Sequence, residues 1–192
     1  MTSLHPAVIA ISGPIGSGKT TTAALLSGRT GWPCASYSDV VRAIAARGGA
    51  PAGRDQLQRI GAQLIAGGWE AFTRRVLDQA AWKPGDGVIV EGIRHAEAAA
   101  TLKRLTAPLP AIVIYLDLPP ETGLARASDR DGTAIAASRQ HAAHPVEHAI
   151  RAVRTLADLI VPVTGRTPEM ITADVISHLA GASARPSGGP RA

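Results

Sequence analysis

The chain has 192 residues, 45% of them hydrophobic and 18% charged, which suits one domain with a real core. No apolar run approaches the roughly 20 residues that span a bilayer. The first residues carry no basic leader and Cys34 is the only cysteine, so neither membrane insertion, export nor an internal disulfide is expected, and a reducing cytoplasm fits. Net charge is +5, but the arginines are scattered and three Trp, two Tyr and one Phe are too few for a base-stacking platform. This argues against a nucleic-acid surface. Arginines gathered around polyphosphate account for the balance at least as well.

The first expected strand is Val8–Ile11. It runs into Gly13-Pro14-Ile15-Gly16-Ser17-Gly18-Lys19-Thr20, the full G-x-x-x-x-G-K-[ST] spacing of a phosphate-binding P-loop, and a helix follows over Lys19–Ser27. The glycines let backbone N–H groups converge on one point, and the helix aims its positive end there. Residues 13–20 with Thr21 are therefore the candidate nucleotide-binding set. Lys19 is placed to reach the β- and γ-phosphates and Thr20 to ligate Mg²⁺. ATP and Mg²⁺ are the implied ligands.

A second strand is expected at Pro33–Ser36, with Cys34 as a buried small hydrophobe rather than a reactive thiol. A helix follows over Ser38–Arg47, with Ser38 as its N-cap. Asp39 and Arg42, three apart on that helix, either complement the dipole and solvent or form an acceptor site. In the second case Arg42 grips a phosphate and Asp39 orients or deprotonates an attacking oxygen. Further helices are expected at Arg54–Ala66 and Trp69–Ala81. Trp69 and Phe72 fit core packing better than stacking on an acceptor base.

The third strand, Val88–Glu91, ends in an acid like a Walker B strand, so Glu91 is the leading carboxylate for the Mg²⁺ site. Asp117, at the end of the expected strand Ala111–Leu116, ranks behind it. Arg94 points toward the phosphates or makes a surface ion pair. A helix is expected at Ala96–Leu105 and another at Glu121–Ser128. Arg126 and Arg130, four apart, are either a solvated face or lid arginines that neutralise a transferring phosphoryl group, with Arg139 weaker. The polar stretch 129–147 reads as an insert. His141, His144 and His148 within it lack metal-site spacing, because Pro145 interrupts any helix through them. Val146–Ala157 and Pro168–Leu179 read as helices around a fifth strand, Leu159–Val163. Residues 1–180 read as one domain, with 38–81 as acceptor insert and 129–147 as lid; the Gly, Ser, Pro and Arg from 181 onward read as a disordered tail. Strands alternating with helices imply a parallel sheet covered on both faces, with functional residues just after the strands.

In this order the pieces resemble the nucleoside monophosphate kinase group of P-loop kinases, near adenylate kinase and dephospho-coenzyme A kinase. The matching stretches are the P-loop, Ser38–Arg42, Glu91–Arg94, Pro120-Glu121-Thr122 and Ala157–Val161. The likeness is nearest to the small dephospho-coenzyme A kinase-like proteins of that group. It implies a three-layer α/β/α fold with a five-stranded sheet in the order 2-3-1-4-5, a mobile acceptor insert and an arginine-bearing lid. It further implies that Arg42 and Arg94 hold the acceptor phosphate and that Arg126 and Arg130 close the site. The sequence departs from the pattern at Ser38, where glycine is usual, in lacking a proline before Arg94, and in lacking the four-cysteine zinc lid of some members.

The expected activity is transfer of the ATP γ-phosphoryl group to a small phosphorylated acceptor, first a (deoxy)nucleoside monophosphate, in a monomer or homodimer. Lys19, Asp39, Arg94, Arg126 and Arg130 are the expected catalytic set. Dephospho-coenzyme A as acceptor would require Asp39 to act as a base. A regulatory P-loop ATPase acting on a macromolecular partner is the rival class, supported only by the basic residues of the tail.

Overall fold

The computed structural model describes residues 4–47, 53–131 and 145–183. The strands are β1 (Val8–Ser12), β2 (Cys34–Ser36), β3 (Val88–Ile93), β4 (Ala111–Asp117) and β5 (Leu159–Pro162). They form one sheet in the order β2-β3-β1-β4-β5, and every pairing is parallel. The helices are α1 (Lys19–Thr30), α2 (Tyr37–Ala46), α3 (Arg54–Ala66), α4 (Trp69–Gln79), α5 (Ala96–Leu105), α6 (Pro120–Asp131), α7 (Pro145–Arg154) and α8 (Pro168–Ser183).

The strands are apolar on both faces because both faces are covered. Within β1, Val8 and Ala10 enter a cluster with Val40, Phe72, Val76 and Leu102, from α2, α4 and α5. Ile9 and Ile11 point the other way, to Ala23 and Leu26 of α1 and Val175 and Leu179 of α8. The same two-residue alternation divides β3, where Val88 and Val90 join the first cluster and Ile89 the second. Ile9, Ile11, Ile89 and Ile114 are fully buried, each contributing roughly 1.5–3 kcal/mol of transfer free energy.

Several boundaries differ from expectation. α2 starts at Tyr37, and its cap is Ser36 rather than Ser38: the Ser36 hydroxyl oxygen accepts the Ser38 backbone N–H. Cys34 is exposed rather than buried, because it opens an edge strand that has β3 on one side only. α7 stops at Arg154 because the next residues form a turn, and α8 continues to Ser183, past the expected start of the tail. Arg139, His141 and His144, together with 184–192, lie outside the described residues, as do the side chains of Arg130 and His148. No helix among the described residues is long and apolar enough to cross a membrane.

Candidate functional site

The P-loop joins the carboxyl end of β1 to the amino end of α1, whose first turn carries no acidic residue. The positive end of the α1 dipole is thus left for an anion. The Lys19 ammonium lies across the loop and donates to the Gly13 and Pro14 carbonyl oxygens at 2.8 and 2.7 Å, with Ser17 Oγ at 3.5 Å. Of the loop residues, Ser17 is buried, Pro14, Ile15 and Gly16 are half-buried, and Gly18, Thr20 and Thr21 are exposed.

Packing fixes the loop from below. Gly13 rests on β4: a Cβ there would stand 2.6 Å from the Leu116 carbonyl oxygen. Gly16 has φ +74°, and its Cβ would stand 2.4 Å from the carbonyl oxygen of Gly123, in the first turn of α6. Glycine is required at 16 on both counts. Gly123 lies in α6 and is equally confined, since a Cβ would meet the Ile15 carbonyl oxygen at 2.3 Å. The partnership of 16 with 123 spans too much chain to be seen in the sequence.

Thr20 and Glu91, the two residues expected to serve a metal, lie side by side. Thr20 Oγ1 donates to the Glu91 carboxylate, 3.0 and 3.1 Å from its two oxygens. A local irregularity in β3 sets Glu91 there. Ile11 pairs with Glu91, but the next pairing is Ser12 with Ile93, so Gly92 is an extra residue with φ +80°. This is a bulge with a left-handed glycine. The Ser12 hydroxyl donates to the Ile93 carbonyl at 2.6 Å and closes it. Glu91 is 6% exposed, and Arg94 emerges into solvent beyond it. The competing acid, Asp117, is engaged elsewhere: Arg154 Nη2 donates to its carboxylate at 3.1 Å and ties α7 to the end of β4.

On the neighbouring strand, Ser36 pairs in register with Glu91, so α2 rises beside the same sheet edge. Arg42 donates from Nε to Asp39 Oδ1 at 3.2 Å and from Nη2 to Ser38 Oγ at 3.2 Å, and a close Nη2 contact to Asp39 completes the ion pair. The Cys34 thiol registers this neighbourhood. Although the residue keeps an exposed surface, partial burial of the thiol first, then the negative charges of Glu91 and Asp39, push it up to about 11, so it is protonated and a poor nucleophile.

An aromatic group stands next to the site. The Tyr37 hydroxyl is 2.7 Å from Thr73 Oγ1, and burial raises its pKa to about 12. Phe72 is 4% exposed, which assigns it to the core. Half-buried Trp69 lies parallel to Phe72 at 6.2 Å and tilted against His95 at 5.0 Å. Burial, with the Arg94 charge, holds His95 below its ordinary 6.5 although Glu97 opposes this, so the ring is neutral at pH 7. Arg126 is exposed on α6, less than one turn beyond Gly123, and Arg130 lies one turn further. Among the described residues, no group of three or more His, Cys, Asp and Glu could hold a metal ion alone.

A P-loop between β1 and α1, Glu91 near the end of β3 beside it and the order 2-3-1-4-5 define a P-loop kinase-type fold. Residues 12–141 match the model of the family described as AAA domain, and the chain belongs to that family. Solved structures agree on the fold. A gluconokinase from Sinorhizobium meliloti 1021 is 18% identical, with 93% of this chain and 94% of that one covered and a TM-score of 0.56. Shikimate kinase from Acinetobacter baumannii, in complex with shikimate, is 18% identical over 94% and 96% of the two chains, with a TM-score of 0.59. The protein TT1252 from Thermus thermophilus is 21% identical over 95% and 100%, at 0.60. None of the curated proteins matches. These likenesses support the broad P-loop kinase resemblance and not specifically the narrower one to adenylate or dephospho-coenzyme A kinase.

Proposed function

We propose that the chain is an ATP- and Mg²⁺-dependent phosphotransferase acting on a small phosphorylated acceptor, with (deoxy)nucleoside monophosphates as the first acceptor class. The observation that carries this is the contact of the Thr20 hydroxyl with the buried Glu91 carboxylate at the mouth of the P-loop. A hydroxyl and a carboxylate side by side are hard oxygen donors that suit Mg²⁺. When bound, the ion would neutralise charge on the nucleotide phosphates.

The chain's own residues do the rest. The P-loop N–H groups and Lys19 bind the polyphosphate, for which Lys19 exchanges its loop carbonyls. Arg42, oriented by Asp39, and Arg94 receive the acceptor's anionic oxygens at the same sheet edge. Arg126 and Arg130 lie on the helix that packs on Gly16, so closing α6 over the loop would bring positive charge to the transferring group and exclude water. The gluconokinase and shikimate kinase neighbours are named for hydroxyl-bearing acids, so those acids belong in the test beside the monophosphates.

The test incubates the purified protein and Mg-ATP with each ribo- and deoxynucleoside monophosphate, dephospho-coenzyme A, gluconate and shikimate, read by mass spectrometry. A monophosphate converted well above the others is expected. Lys19→Ala should lower that rate by at least roughly 10²-fold, as for loss of a preorganised charged donor. Normal turnover in that variant would overturn the proposal.

A further inference from the structure

Two serines stand between the β3 bulge and Arg42. Ser36 is 1% exposed and lies against Gly92, where an added Cβ would meet its Oγ at 3.7 Å. Its Oγ is 2.7 Å from Ser38 Oγ, and Ser38 Oγ in turn accepts from Arg42 Nη2 at 3.2 Å. Ser36 already caps α2, so the Ser38 hydroxyl is free of that duty. A guanidinium only donates, so it takes one lone pair of Ser38 Oγ. Asp39 accepts from both Nε and Nη2, and Ser38 accepts from Nη2 as well, so Arg42 is held by two residues. Nη1 has no hydrogen bond among the described residues and is left for an anionic oxygen.

We infer that Ser38 is a positioning residue for the acceptor: anchored on buried Ser36, it fixes the direction of the Arg42 guanidinium toward an acceptor anion. This rests on the reading of Arg42 as an acceptor-phosphate ligand. Arg42 is 58% exposed and otherwise keeps most of its rotamer freedom, which binding must remove. Holding it beforehand lowers that cost, and the effect of one such hydrogen bond is roughly five-fold in affinity.

The experiment follows the Arg42 side-chain Nε–H resonance in isotope-labelled full-length protein, assigned by its loss in Arg42→Lys. Inorganic phosphate is titrated with Mg-ADP present at saturation, so that the P-loop is filled. Ser38→Ala should shift or broaden the resonance and weaken phosphate roughly five-fold at this site, and Ser38→Thr should restore both. The inference is overturned if the resonance is unchanged in Ser38→Ala. It is equally overturned if the resonance moves while phosphate affinity at Arg42 stays the same. Neither readout needs turnover, so failure to phosphorylate any monophosphate would count against the proposed function and not against Ser38.

Discussion

Replacing Gly123 with alanine tests whether the P-loop keeps its shape by packing on α6. Gly123 has no positive φ, so the substitution adds no backbone strain. The new Cβ would stand 2.3 Å from the Ile15 carbonyl oxygen. A contact of about 3 Å or more is needed, so loop and helix must part by roughly 0.7 Å. Alanine gains up to about 1 kcal/mol in helix propensity, while overpacking costs about 1–3 kcal/mol. A net loss of about 0–2 kcal/mol in urea unfolding is therefore expected. Binding should suffer more. A misplacement near 1 Å costs on the order of 10²-fold, so Mg-ADP affinity by calorimetry should fall roughly ten-fold or more. Gly28→Ala is the matched control: it lies in α1 with nothing within 4 Å of an added Cβ. It should stabilise by about 0.5–1 kcal/mol and leave binding alone. Wild-type nucleotide affinity in a folded Gly123→Ala protein would refute the dependence of the loop on α6.

Glu91→Gln keeps an acceptor for the Thr20 hydroxyl but removes the charge. It should fold with an unchanged or higher Tm and lose at least roughly 10²-fold in activity across a Mg²⁺ titration. Arg154→Ala breaks a solvent-exposed pair with Asp117, 47% and 39% exposed, so the urea midpoint should report less than about 1 kcal/mol. His95 titrates lower in the folded chain than its ordinary 6.5. The unfolded chain therefore binds more protons between the two values. Stability is full above about pH 6.5 and falls as pH drops toward the folded value; His95→Gln should flatten that slope in unfolding measured from pH 7.5 to 5.

Much of the fold was legible because parallel strands covered on both faces announce themselves as continuous apolar runs. The Val88–Glu91 and Ala111–Leu116 runs emerged with the strands they suggested. The P-loop glycines, Lys19 and Thr20 were legible because their spacing is itself the chemistry. What the sequence concealed depends on partners far along the chain. Cys34 read as buried because nothing local reveals that β2 is an edge. The bulge at Gly92 is a matter of register with Ser12, and the pairing of Asp117 with Arg154 joins residues far apart in the chain. Ser38 reads as the cap of that helix; only the geometry shows Ser36 capping and Ser38 holding Arg42. The approach of His95 to Trp69 likewise needed the packing of α4 beside the end of β3.

The most direct measurement follows the terminal phosphoryl group itself. ATP labelled in its γ-phosphate is incubated with the protein and Mg²⁺ over the acceptor panel, and the label is located at the end of the reaction. Label on an organic phosphorylated product, absent with Lys19→Ala, is the expected result. Label released only as inorganic phosphate, at a rate indifferent to every acceptor, would contradict the account and make the chain a nucleotide-driven switch.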